Sequence, residues 1–243
     1  MRSVCLIIIL AALTLTGGCH AKDRSRQSTD ADPNVRTDSM PETIPAPPDP
    51  PSSPSATAPD TRPLLVCFGD SLTAGYGTEA GQSYPDFLQA DLDQKGYHYR
   101  VVNEGVSGAT SKDGVARLSE MLALKPAAVV VEFGGNDGLR GLPVDEMRSN
   151  LDTIVRRLKA SGTKVMLAGI TLPPDYGPDY VNQFTASYAL VAKKYQVPLF
   201  PFLLKGVFGV DGMMQADRTH ATAMGNEIVA RNVLPMAMSL LQR

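Results

Sequence analysis

Three cysteines and three histidines are all that the 243 residues contain. Cys5 lies in an apolar leader and Cys19 follows it, so Cys67 stands alone in the rest of the chain. One cysteine cannot staple a fold, and stability must come from a packed core. A chain 43% hydrophobic and 20% charged has enough apolar surface for one sizeable core. Cys67 sits inside an apolar run and is expected to be a buried, inert thiol. The net charge is only -2, without the clustered Lys and Arg that phosphate backbones require, so nucleic acid is not an expected partner. No repeat at a solenoid period is present either, which excludes a stacked array.

Aromatic residues are missing altogether between residues 20 and 63, where ten of the 19 prolines fall between Pro33 and Pro63. Such a stretch, rich in Ser, Thr, Asp and Ala, cannot bury enough apolar surface to offset its ordering entropy. Residues 19–63 therefore read as an extended tether. Before it, Arg2 precedes the apolar run "VCLIIILAALTLT" from Val4 to Thr16, which is too short to span a bilayer as a mature helix. Gly17, Gly18 and Cys19 follow, the layout of an export signal over residues 1–18. "LTGGC" resembles a bacterial lipobox, although Thr16 stands where Leu or Val is preferred. The resemblance makes Cys19 the expected lipidation site. Two or more acyl chains there would hold the protein stably on a membrane, in the periplasm or on the outer membrane.

From Leu64 to Arg243 strand and helix patterns alternate. "LLVCF" (64–68), "YRVVN" (99–103), "AAVVVEF" (127–133), "KVMLAGI" (164–170) and "VPLF" (197–200) read as buried strands. Helical stripes lie between them: Tyr84, Phe87, Leu88 and Leu92; Val115, Leu118, Met121 and Leu122; Met147, Leu151, Ile154, Val155 and Leu158; Val181, Phe184, Tyr188, Val191 and Tyr195. A last helix runs through Ile228 and Val229 towards Leu241, with Pro235 expected to kink it. Strand then helix, five times over, is the signature of an α/β domain with a five-stranded parallel sheet and helices on both faces. In such sheets ligands bind at the carboxyl ends of the strands.

The loops at those ends hold the reactive groups. After the first strand comes Gly69-Asp70-Ser71; after the second, "EGVSGATS" with Gly108; after the third, "GGNDG" with Asn136; before the last helix, "ADRTHAT" with Asp217 and His220. A serine hydroxyl needs a base to become a nucleophile, and the base needs an orienting group. His20 falls in the tether and His98 in a turn at the opposite end of the sheet, which leaves His220 as candidate base, an imidazole titrating near ~6.5 in water. Asp217, three residues earlier, can accept from its Nδ1–H and leave Nε2 for Ser71. The Ser71 and Gly108 amides and the Asn136 side-chain amide are candidate oxyanion donors, each worth ~3 kcal/mol in such a site. Every piece also has an ordinary reading: a turn serine, a turn glycine, a loop asparagine, a helix-capping aspartate, a surface histidine. Their placement in the matching loops favours catalysis.

The four blocks "FGDSL", "VNEGVSGATS", "GGNDGLRG" and "DRTH" resemble those of the SGNH (GDSL) hydrolase superfamily. Within it, "VEFGGNDGLRGLP" and "QADRTHATAMGN" are similar to the bacterial esterases that include the multifunctional acyl-CoA thioesterase/lysophospholipase and the periplasmic arylesterases. The resemblance covers residues 64–243. It implies a three-layer α/β/α flavodoxin-like fold, Ser71 as nucleophile, Asp217 as orienter, His220 as base, Gly108 and Asn136 with Ser71 as oxyanion hole, and no metal or organic cofactor. The expected reaction is hydrolysis of carboxylic esters through an acyl-enzyme on Ser71, with aryl esters, lysophospholipids and thioesters as substrate classes. An exported enzyme meets little acyl-CoA, which favours small lipophilic esters and lysophospholipids. A carbohydrate O-acetylesterase acting on envelope polysaccharide and a non-catalytic surface lipoprotein are the rival readings. The chain departs from the family where Arg218 replaces a frequent glycine, Ala221 a proline, and Ala109 an acidic residue. Thr73 stands where a G-x-S-x-G elbow would have its last glycine, which disfavours an α/β-hydrolase proper.

Overall fold

The computed structural model describes residues 60–242. The expected export signal (1–18), the lipidation site Cys19 and the tether up to residue 59 lie outside the described residues. Hydrogen bonds to the fold begin next to them: Arg62 donates to the Tyr99 carbonyl at 3.2 Å, and the Arg100 amide donates to that of Pro63 at 3.0 Å.

Five parallel strands form one sheet: β1 (Leu64–Gly69), β2 (Arg100–Gly105), β3 (Ala128–Glu132), β4 (Lys164–Ala168) and β5 (Leu199–Phe200), in the order β2-β1-β3-β4-β5. Leu65 to Phe68 of β1 and Ala128 to Val131 of β3 are fully buried, as continuous apolar runs in the middle of a covered sheet must be. Burial also pushes the Cys67 thiol up to about 12, so it stays protonated and unreactive. β5 is shorter than "VPLF" because Pro198 has no N–H to donate, although its carbonyl accepts from Leu167 at 2.9 Å.

The helices are α1 (Ser71–Ala74), α2 (Tyr84–Gln94), α3 (Ser111–Ala123), α4 (Gly135–Leu139), α5 (Val144–Ala160), α6 (Pro178–Tyr195) and α7 (Ala223–Leu240). α2 packs against α7, while α3, α5 and α6 form a second group. Right-handed crossovers put the two groups on opposite faces, because the chain leaves β1 first towards β2 and then reverses to β3. This is the three-layer flavodoxin-like order. Its topological switch point lies between the carboxyl ends of β1 and β3, the crevice where such sheets bind ligands.

One local expectation differs from the structure. "GGNDG" forms the short helix α4 rather than an open loop. Pro235 lies inside α7 without ending it: Pro235 and Arg231, whose carbonyl it leaves without its usual partner, are both exposed to water. Among the described residues no helix is long and apolar enough to cross a membrane.

Candidate active site

Ser71 is the first residue of α1, and its amide is one of those that a helix start leaves without an intrahelical carbonyl. The helix is set by Asp70, whose Oδ1 accepts from the Leu72 amide at 3.0 Å. At Gly69 an added Cβ would lie 2.2 Å from Thr73 Oγ1 and 2.6 Å from the Glu132 carbonyl oxygen. Its bareness lets α1 fold back onto the end of β3, which aims Ser71 into the crevice.

His220 Nε2 lies 2.9 Å from Ser71 Oγ, and His220 Nδ1 lies 2.6 Å from Asp217 Oδ2. Asp217 does not cap a helix; that place before α7 is taken by Thr222, which accepts from the Gly225 amide. Instead Asp217 Oδ1 accepts from the Thr219 and His220 amides at 2.9 and 3.0 Å. Burial alone would raise this carboxyl, but the imidazole and the two amides outweigh it and hold it down at about 2. It is therefore an anion at any working pH, aimed at the imidazole.

The loop carrying this pair is closed by a β-bridge between Met214 and Ala221, with the Gln215 amide donating to the His220 carbonyl at 2.8 Å. Arg218 adopts φ +56°, the left-handed conformation that a glycine takes without strain. Gln215 Nε2 donates to the carbonyls of Tyr76 and Ala221 at 2.7 and 2.9 Å, tying the histidine loop to the serine loop. The Tyr76 ring stands 4.6 Å from the His220 ring, centroid to centroid. Neither Gln215 nor Tyr76 carries a sequence signal of its own role.

Gly108 follows β2 and has φ +81°, with no protein atom closer than 3.7 Å to the position of an added Cβ. Backbone conformation, not crowding within the protein, requires this glycine. Arg140 donates to its carbonyl at 2.8 Å and pins the loop. Asn136, in α4, faces the same space, and its Nδ2 donates to Asp70 Oδ2 at 3.1 Å and to the Ala109 carbonyl at 3.0 Å. Both amide protons thus have partners. Asp137 points the other way and accepts from the Ser111 amide and hydroxyl at 2.8 and 2.6 Å, anchoring α3.

These groups open into a cavity of about 1150 Å³. Ser71, Gly108, Asn136 and His220 line it together with the apolar Leu139, Ile170, Leu172, Pro173, Pro174, Val181, Phe202, Leu204 and Phe208 and the polar Thr171, Asn182, Arg218 and Thr219. Leu139 closes α4, and Leu172, Pro173 and Pro174 follow β4. Phe202, Leu204 and Phe208, from the segment after β5, were not foreseen, although an apolar run at that end of a strand is a usable signal. Among the described residues no group of three or more His, Cys, Asp or Glu side chains is placed to hold a metal ion.

Residues 67–228 match the model of the GDSL-like Lipase/Acylhydrolase family. The chain belongs to that family. It is 46% identical over 178 residues to Esterase TesA of Pseudomonas aeruginosa, covering 73% of this chain and 89% of the relative. It is 38% identical over 176 residues to Thioesterase 1/protease 1/lysophospholipase L1 of Escherichia coli, covering 72% and 82%. A crystal structure of TesA superposes with a TM-score of 0.71 at 45% identity, covering 73% of this chain and 99% of that one. This GDSL hydrolase is a serine esterase, and the non-catalytic and carbohydrate-specific readings are not favoured.

Proposed function

We propose that the esterase transfers an acyl group to Ser71 and then to water, and that its substrates are lipophilic esters, among them lysophospholipids. Ser71 Oγ attacks the ester carbonyl as its proton passes to His220 Nε2. Asp217 holds the Nδ1–H and balances the imidazolium charge. The Ser71 and Gly108 amides and Asn136 receive the negative charge on the former carbonyl oxygen. His220 then returns the proton to the leaving alcohol. Water, deprotonated by the same imidazole, attacks the acyl-enzyme, and the acid leaves as the Ser71 hydroxyl reforms.

One observation carries the substrate class: the reactive groups open into a cavity whose other lining is mostly aliphatic and aromatic, with Thr171, Asn182 and Arg218 among it. Burying methylenes there gains about 0.8 kcal/mol each, so acyl chains are selected by length. A relative named as a lysophospholipase and thioesterase supports the same reading. The test is a series of p-nitrophenyl esters from acetyl to lauroyl beside a lysophosphatidylcholine. The proposal expects kcat/KM to rise with chain length and fatty acid to be released from the lipid. Activity confined to acetyl esters would overturn it.

The leader and Cys19 support a second proposal, that the protein is exported and lipid-anchored. Incorporation of a clickable fatty acid that is lost in Cys19→Ser tests it.

A further inference from the structure

The reaction scheme leaves one buried acid unused. Glu132 ends β3 and is completely buried. Its Oε2 accepts from the Asp70 amide at 3.3 Å and from Thr73 Oγ1 at 2.9 Å, and its Oε1 is buried with no hydrogen-bond partner among the described residues. Asp70, itself buried, spends its two oxygens on the Leu72 amide and on Asn136 Nδ2. One pair of carboxyls therefore underlies both α1, which presents Ser71, and α4, which presents Asn136.

Two carboxyls buried against each other cannot both be charged without a large penalty. Bonds from Leu72 and Asn136 favour charge on Asp70, whereas a bare Glu132 Oε1 would be an unsolvated anion. We propose that Glu132 is a positioning residue: it keeps its proton, leaves Asp70 as the single anion of the pair, and so holds the Asn136 amide at the oxyanion site. The proposal rests on the reading of Asn136 as an oxyanion donor. The electrostatics agree in direction. Burial first, and then the Asp70 charge, push the Glu132 carboxyl well above the usual range, while burial pushes Asp70 only to about 6. The other titratable groups acting on the pair are Tyr84 from α2, Tyr188 from α6 and His220. Burial raises both tyrosines, so they are neutral at working pH and add no charge beside Glu132.

Neutral glutamic acid and glutamine are nearly the same shape, and each offers a carbonyl acceptor on one arm and a donor on the other, the amide carrying one extra N–H, which makes the test sharp. In full-length enzyme with active sites titrated by a fluorophosphonate, Glu132→Gln should keep kcat within about threefold and leave the acid limb of kcat/KM against pH unmoved. Glu132→Ala should lower kcat by about tenfold or more with little change in KM, short of the hundredfold or more that losing an oxyanion donor outright costs. A kcat loss in Glu132→Gln as deep as in Glu132→Ala would show that the charge is needed and overturn the proposal. So would a folded Glu132→Ala enzyme with wild-type kcat. Should Glu132→Ala not fold, the carboxyl carbon-13 NMR spectrum of wild-type enzyme at pH 7 decides: a protonated glutamate signal that vanishes in Glu132→Gln supports the proposal, and its absence overturns it. Asn136→Ala measured alongside separates the two layers. If it leaves kcat unchanged, the oxyanion reading fails; if it lowers kcat while the Glu132 variants do not, only the positioning role fails.

Discussion

Ser71 and His220 are 149 residues apart in sequence and 2.9 Å apart in space, Oγ to Nε2. The sheet order makes that meeting possible. Ser71 starts α1 at the end of β1, next to the switch point, and the loop before α7 is tied to the serine loop through Gln215 and Tyr76.

Asp217→Asn should lower kcat by about 10⁴-fold with KM little changed, since an asparagine cannot hold the imidazole in the working tautomer. Steady-state kinetics on p-nitrophenyl butyrate, with circular dichroism to verify folding, checks it. A loss below about tenfold would mean that the 2.6 Å contact is ornamental to the chemistry.

Gln215→Ala should reduce kcat by about tenfold while leaving a folded protein, because two loops lose the amide that joins them. Crystallography of the variant should show the His220 ring displaced from Ser71.

Phe208 is about half exposed at the cavity mouth and meets Phe202 edge to face, with centroids 6.1 Å apart. Phe208→Ala should lower the ratio of octanoyl to acetyl ester kcat/KM by about fivefold, the value of a little over one buried methylene. An unchanged ratio would place the acyl chain elsewhere in the cavity.

Much of this was legible in the sequence because continuous apolar runs and helical stripes fix where strands and helices lie. A parallel sheet then forces every functional loop to one end, which is why Ser71, Gly108, Asn136, Asp217 and His220 could be named together. Glu132 was not legible. It closes an apolar strand like any final polar residue, and its meaning comes from Asp70 and Thr73, about sixty positions away. Gln215, Tyr76 and the Phe202–Phe208 wall were hidden for the same reason: their roles lie in contacts between loops, which no local spacing encodes. For Gly69 and Gly108, only the backbone tells which needs space and which needs a positive φ.

Arg218→Gly should stabilise the protein by up to about 1 kcal/mol, because relief of the left-handed strain at φ +56° exceeds the entropy a glycine adds to the unfolded chain. Urea midpoints compare the two. A loss of stability would mean that the arginine side chain outweighs its backbone strain.

Stability should also fall as pH rises from neutrality. The native state keeps a proton on Glu132 that the unfolded chain releases above the ordinary glutamate range, so unfolding becomes easier by up to about 1.4 kcal/mol per pH unit until Glu132 ionises in the fold. Below about pH 6 Asp70 adds to the same slope, since its folded value is also raised. Glu132→Gln has no such proton to lose and should show a flatter curve between pH 6 and 8. Parallel curves for the two proteins would contradict this.

The central claim is that Ser71 forms the covalent bond to the acyl group. Intact-mass and peptide mapping after treatment with an alkyl fluorophosphonate tests it most directly. The account predicts one adduct per chain, on the peptide carrying Ser71, with activity lost in proportion and no adduct in Ser71→Ala. An adduct on another residue, or a Ser71→Ala enzyme that turns over esters at the wild-type rate, would contradict it.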